Sequence, residues 1–222
     1  MTNSPIKHPK NTVFSALLTI CVVFSSPYAK ADSTNSALMN LTIVSAIASI
    51  GFACYEGQAP CSLHPDIDTS RTTLSLDSGA DDTLKQTRIG LGADWNNALY
   101  DSDRFSINGR WEVSANEWHS TRKHPKNKSG WIIGLTPIFH YNWKLDGFTP
   151  YIETGAGPHF ISDINVEDEY KSTQFQFGDI LGIGFTTKHF EVGYRYLHIS
   201  NANIEVPNPG LDFHNLHIGY KF

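Results

Sequence analysis

From about Ser70 onward, apolar and polar residues alternate with a period of two, and no helical period is sustained. Successive side chains on a strand point to opposite faces, so this alternation predicts strands with one apolar and one polar face. The first is short, around Arg71 to Asp77, with Thr72, Leu74 and Leu76 on one side. The second, Thr87 to Trp95, sets Ile89, Leu91, Ala93 and Trp95 against Arg88, Gly90, Gly92 and Asp94. A third sets Phe105, Ile107, Trp111 and Val113 against Ser106, Asn108, Arg110, Glu112 and Ser114. The fourth carries Trp131, Ile133, Leu135, Phe139, Tyr141 and Trp143 opposite Gly134, Thr136, His140 and Asn142. Phe148 to Ile161 and Phe175 to Phe185 repeat the pattern, and His189 to Phe222 divides into two more strands around a loop. The total is eight.

Eight such strands close either as a soluble barrel with an apolar core or as a membrane barrel with an apolar exterior. Three features favour the second. The polar faces carry charges of both signs, Arg88, Asp94, Arg110, Glu112, Glu153, Glu191 and Arg195, which can neutralise one another in a narrow lumen, and aromatic residues bracket the apolar faces. The connections alternate: Ser78 to Gln86, His119 to Gly130, Ser162 to Thr173 and Asn201 to Leu211 are long, whereas Lys144 to Gly147 and Thr187 to His189 are short. Finally, Leu216, Ile218, Tyr220 and Phe222 end the chain in a pattern that resembles the C-terminal assembly signal of bacterial outer-membrane barrels. The expected fold is therefore all-β, an eight-stranded antiparallel transmembrane β-barrel over residues 70–222. The long connections would face outward and the short turns the periplasm.

Composition adds boundaries. The 222 residues are 40% hydrophobic and 18% charged with a formal charge of −5, enough apolar surface for one domain and no basic footprint for nucleic acid. Lys7 and Lys10 precede an apolar run from Val13 to Phe24 and then Ala29-Lys30-Ala31, the layout of a secretory signal peptide over residues 1–31. Residues 32–69 are harder to place. Ala37 to Tyr55 is about long enough to span a bilayer, and its Thr42, Ser45 and Ser49 recur at helical spacing, so it reads as an amphipathic helix, as an extended leader, or as the signal peptide itself with Met39 as the true start. An oxidising compartment would favour a small-loop disulfide between Cys54 and Cys61.

Candidate chemistry lies in the last two strands. In the seventh, Phe190, Val192, Tyr194 and Tyr196 share the apolar face, and the same parity extends to His198 and Ser200 at its far end. In the eighth, counting back by twos from Leu216 reaches His214 and Asp212. A serine needs a base, the base needs an orienting carboxylate, and the developing oxyanion needs donors. Ser200, His198 and Asp212 supply the first three, and Asn201, Asn203, Asn208 or backbone N–H groups beside them are candidates for the last. His-x-Ser alone is a common coincidence; the third partner and the Asn-rich loop strengthen the reading. Asp179 shares the outward parity of the sixth strand without an evident role, and the histidines show no metal-ligand spacing, so neither metal nor cofactor is expected. Arg122, Lys123, Lys126 and Lys128 fall in one outer loop and read as a solvated basic loop, with contact to lipopolysaccharide phosphates as the alternative.

The stretches Tyr151-Ile-Glu-Thr-Gly-Ala-Gly157, Gly178-Asp-Ile-Leu-Gly-Ile-Gly184, His198-Ile-Ser-Asn-Ala-Asn203 and Pro207-Asn-Pro-Gly-Leu-Asp212 resemble the lipid A 3-O-deacylases of the PagL type. The resemblance runs from about the second strand to the end. It implies an outer-membrane barrel that removes the ester-linked acyl chain at position 3 of lipid A, with a Ser, His and Glu on its lipid-facing surface. His198 matches the family histidine, Ser200 the nucleophile and Asp212 the glutamate, while Asn201 and Asn208 match loop asparagines. Two positions depart: Asp212 is one methylene shorter than Glu, and Asn203 stands where glycine is usual. The implied partner is lipopolysaccharide of the outer leaflet, with the site facing that leaflet and a homodimer left open. The alternatives are a non-catalytic barrel for adhesion or lipid binding, and an esterase acting on phospholipid.

Overall fold

The computed structural model describes residues 33–58, 60–62 and 67–222; the signal-peptide reading of residues 1–31 lies outside them. Eight long strands follow one helix: β1 (Ile67–Asp81), β2 (Leu84–Trp95), β3 (Phe105–Ser120), β4 (Ser129–Trp143), β5 (Thr149–Ile161), β6 (Phe175–Thr186), β7 (Phe190–Ser200) and β8 (Leu211–Lys221). Each pairs antiparallel with the next, and β8 pairs with β1 through Leu74 opposite Tyr220 and Leu76 opposite Ile218, so the sheet closes. Closure leaves no edge strand, which satisfies every ladder donor and acceptor in hydrocarbon.

The faces separate as the alternation requires. Leu91, Val113, Trp131, Ile183 and Leu216 are exposed on the outside, whereas Arg88, Arg195, Glu112, Glu153 and Glu191 are buried within. An apolar exterior around a charged interior is the transmembrane arrangement. Inside, Arg88 bonds Asp77 at 2.8 Å and Glu112 at 2.5 Å, Arg195 bonds both oxygens of Glu153 at 2.7 and 3.0 Å, and Arg110 bonds Glu191 at 2.8 Å. Arg88, Arg110, Glu112, Glu153, Glu191 and Arg195, read from the sequence as lumenal charges, are therefore one another's partners; Asp77 joins them and, among the described residues, Asp94 does not.

Toward the long-loop end the lumen changes character. Trp118, Ile132, Ile161, Ile180, Leu197, Ile199, Leu211 and Phe213 pack into a buried apolar cluster. Leu197, Ile199 and Phe213 alternate with outward-facing His198, Ser200 and Asp212 on the same strands, so here the usual polarity of the two faces is inverted. That packed cluster backs the sheet segment that carries the candidate site.

Two connections differ from expectation. β1 runs from Ile67 to Asp81, well beyond Arg71 to Asp77, and the Ser78 to Gln86 connection is not a long loop: Ala80 pairs with Lys85 and Asp81 with Leu84, leaving a tight turn with Asp82 at φ 45°. These strand ends are mostly polar, and the scattered Ile67, Ala80 and Leu84 set up no hydrophobic period to reveal them.

The helix α1 (Ser33–Tyr55) lies on the outside of the barrel against β5 and β6. It is long and apolar enough to cross a membrane. Thr42, Ala46, Ser49 and Ala53 are buried, while Leu41, Val44 and Ile47 are exposed. Ser49 Oγ lies 2.7 Å from both Tyr141 Oη and Thr154 Oγ1, hydrogen bonds made on the barrel's outer wall. A disulfide joins Cys54 to Cys61 just past the helix.

Candidate active site

Register settles whether the three candidate side chains meet. His198 on β7 is paired directly with Asp212 on β8, and Ser200 is two residues farther along the same face. Directly opposed residues hold their Cβ atoms roughly 5 Å apart, a gap that a short carboxylate can close. His198 Nδ1 accordingly donates to Asp212 Oδ1 at 2.7 Å. With Nδ1 carrying the proton, Nε2 keeps its lone pair and is the basic nitrogen.

Asp212 has a second donor. Tyr196 Oη–H donates to the same Oδ1 at 2.6 Å, so the carboxylate is held from two sides on the barrel's outer wall. Tyr196 was legible only as a member of the apolar face; its role depends on the β7–β8 register. Ser200 is near-buried and makes no hydrogen bond to His198 among the described residues. Side chains at i and i+2 on a strand start roughly 6–7 Å apart, so the two must lean together for proton transfer, which rotation about a serine χ1 torsion accomplishes at little cost.

The three asparagines divide their work. The Asn201 backbone N–H donates to Asn208 Oδ1 at 2.9 Å, and its side-chain amide donates to Glu205 O at 2.9 Å and Lys171 O at 3.3 Å. Those donors brace the loop from within. Asn208 Nδ2 donates to Asn203 Oδ1 at 3.3 Å and has a second N–H, which leaves it a donor to offer an oxyanion. Asn203 sits at φ 61° and Ala202 at φ 53°, the left-handed region that glycine and asparagine enter most easily. The backbone thus explains why Asn can occupy a glycine position.

Two further residues escaped the sequence reading. Lys171 is buried at the base of this loop, where its Nζ donates to Glu169 at 2.6 Å and to the carbonyls of Pro209 and Gly210 at 3.0 Å each. Burial pulls its pKa down, against the upward pull of the Glu169 carboxylate. Gly210 packs on the imidazole: a Cβ there would lie 2.5 Å from His198 Cε1. Gly210→Ala is therefore expected to push the ring off Asp212 and cut esterase turnover roughly tenfold to a hundredfold while the barrel still assembles. Unaltered turnover would show that the imidazole does not depend on this contact.

Asp179, on β6, stands level with His198 on its other side. The imidazole is thus flanked by two carboxylates, and its hydrogen bond goes to Asp212.

The arrangement, a base oriented by a carboxylate beside a serine, suits acyl transfer. Comparison with known proteins points the same way. The profile of the family described as Lipid A 3-O-deacylase (PagL) matches residues 85–221. Among curated relatives, the lipid A deacylase PagL of Pseudomonas aeruginosa is 28% identical over 130 residues, 58% of this chain and 73% of that one. That of Bordetella bronchiseptica is 41% identical over 93 residues, 41% of this chain and 51% of its own length. The crystal structure of the outer membrane enzyme PagL superposes with a TM-score of 0.61 at 25% identity, covering 66% of this chain and 97% of that one. This chain belongs to the lipid A 3-O-deacylase family.

Proposed function

We propose that the protein is an outer-membrane serine esterase that hydrolyses the ester-linked 3-O-acyl chain of lipid A, with Ser200 as nucleophile, His198 as base and Asp212 as the orienting acid. The observation that carries this reading is the 2.7 Å bond from His198 Nδ1 to Asp212 Oδ1, made on the outer wall of the barrel two residues from a serine. An outward-facing triad suits a substrate whose ester lies in the membrane.

The reaction follows from the geometry. Ser200 Oγ attacks the ester carbonyl carbon as its proton passes to His198 Nε2, and Asp212 stabilises the imidazolium. The carbonyl oxygen becomes an oxyanion, for which the second N–H of Asn208 Nδ2 is a candidate donor. Collapse expels the sugar 3-oxygen, which takes the proton from His198, leaving the acyl chain on Ser200. Water, deprotonated by His198, then attacks the acyl-enzyme and releases the fatty acid. Purified protein should release a single hydroxyacyl chain from lipid A in detergent, with EDTA present or absent. Release from phospholipid in preference to lipid A would reassign the substrate.

The long connections would lie at the cell surface and the short turns in the periplasm. Single cysteines placed within residues 121–128 or 163–173 should then react with an impermeant maleimide on intact cells, while those within 144–147 should not. The reverse pattern would invert the barrel and remove the site from the outer leaflet.

A further inference from the structure

Helix α1 lies outside the segment matched by the family profile, residues 85–221. Its course over the barrel is fixed at two points. At its C-terminal end Ala53 packs in a cluster with Trp95, Leu99 and Phe139, at the short-turn end of β2 and β4. One turn back, Ser49 is bonded to Tyr141 on β4 and Thr154 on β5. Phe139 and Thr154 are directly paired, so the helix crosses the strands from β2 and β4 onto β5, and it also packs on β6. Its 23 residues span roughly 34 Å, enough to carry its N-terminal half toward the long-loop end.

That course brings it beside the candidate site. In one row across the sheet, Ala156 on β5 pairs with Asp179 on β6, Asp179 with His198 on β7, and His198 with Asp212 on β8. In the next row, Thr154 pairs with Leu181, Leu181 with Tyr196, and Tyr196 with His214. Strands lie roughly 4.8 Å apart, so two strands separate the helix's seat on β5 from β7 by roughly 10 Å, about one helix diameter. A helix lying over β5 and β6 thus has its flank against the β7 face. Exposure agrees: outward-facing Leu74, Ile89 and Val113 on the opposite wall are 47%, 54% and 55% exposed, whereas Asp179 and Tyr196 are 8% and 0%.

We infer that α1 is retained in the mature protein as one wall of the lipid-binding groove. The acyl chain being cleaved would run from Ser200 down the outer wall toward Tyr194 on β7 and Leu216 on β8, which are exposed, with α1 confining it on the β6 side. The occupant is the acyl chain of the ester under attack, because this stretch of the apolar exterior adjoins the triad on β7 and β8. The buried face of α1 fits a permanent packed helix: Thr42, Ala46, Ser49 and Ala53 recur every three to four residues, small side chains that allow close approach, and Ser49 bonds across to the barrel. A wall that is already packed in place adds contacts along the bound chain without a further cost of ordering protein on binding.

This inference rests on the deacylase reading, and the test separates them. First, the intact mass of protein purified from outer membranes gives the mature N-terminus; a chain that begins after Tyr55 would overturn the inference outright. Second, residues 32–62 are deleted behind the leader, and turnover of lipid A is compared with that of a short-chain p-nitrophenyl ester. The ratio of their kcat/KM values is expected to fall roughly tenfold, mostly through a higher KM for lipid A. Should the deletion fail to assemble, as judged by heat-modifiable mobility, Ala46→Trp in the full chain wedges the buried face of α1 off the barrel and should lower the same ratio. An unchanged ratio in the assembled variant, with lipid A still hydrolysed, would overturn the role of α1 alone. No hydrolysis of lipid A by the intact protein would instead count against the deacylase reading.

Discussion

Ser200→Ala is expected to reduce lipid A deacylation by roughly ten-thousand-fold or more while the barrel assembles normally. Ser200 faces outward and fills no part of the packed cluster formed by Leu197, Ile199 and Phe213 on the inner side, so its loss removes chemistry without removing support. His198→Ala should cost nearly as much, and the double variant scarcely more, because nucleophile and base act as one unit. Asp212→Asn should cost less but still orders of magnitude. The amide loses the charge that stabilises the imidazolium and favours the wrong tautomer. Asp212→Glu separates reach from charge: Asp212 sits directly opposite His198, so the short acid already reaches at 2.7 Å, and Glu must fold back to hold the same nitrogen. Activity within about tenfold of the parent would support Asp212 as the orienting acid. An Asp212→Asn enzyme as active as the parent would pass that role to another carboxylate, Asp179 being the nearest by register.

The largest expected effect on stability is at Arg195. Its guanidinium is fully buried and holds Glu153 at 2.7 and 3.0 Å, Asp77 at 3.1 Å and Glu112 at 3.3 Å. Removing it leaves Asp77, Glu112, Glu153 and Glu191 facing only Arg88 and Arg110 among the buried guanidiniums. Breaking a buried ion pair on one side typically costs about 3–5 kcal/mol, because the remaining charge is desolvated without compensation. Arg195→Ala should therefore lower the free energy of unfolding in lipid vesicles by about that amount, and a second change, Glu153→Gln, should recover part of it. A loss below about 1 kcal/mol would mean that the lumen is hydrated well enough to screen these charges.

Much of this molecule is legible in its sequence because a membrane barrel writes its two faces as a strict alternation. The strand count, the closed topology and the pairing of lumenal charges follow from that period. Parity also places His198, Ser200 and Asp212 on one face. Parity is silent about register, however, and register is what puts Asp212 level with His198 and Tyr196 within reach of Asp212. Neither could be read from one strand at a time. Lys171 and Gly210 were hidden for a different reason: they act through a loop whose bends and carbonyl directions leave no periodic trace. The extended ends of β1 were missed because a strand that rises past the apolar belt has no hydrophobic face to show. The helix sat between two readings, leader or packed helix, because length and hydropathy are common to both. Contacts such as those of Ser49 with Tyr141 and Thr154, more than ninety residues away in the chain, lie beyond what length and hydropathy can show.

The central claim is that a serine on the outer wall of this barrel removes one acyl chain from lipid A. The most direct measurement is mass spectrometry of lipid A from outer membranes of a Gram-negative host producing either the parent protein or Ser200→Ala. The account predicts that the parent shifts lipid A by the mass of one hydroxyacyl group, with fragmentation locating the free hydroxyl at position 3, and that the Ser200→Ala host retains the full acyl complement at equal barrel abundance. Identical spectra from the two hosts, with both barrels assembled in the outer membrane, would contradict it.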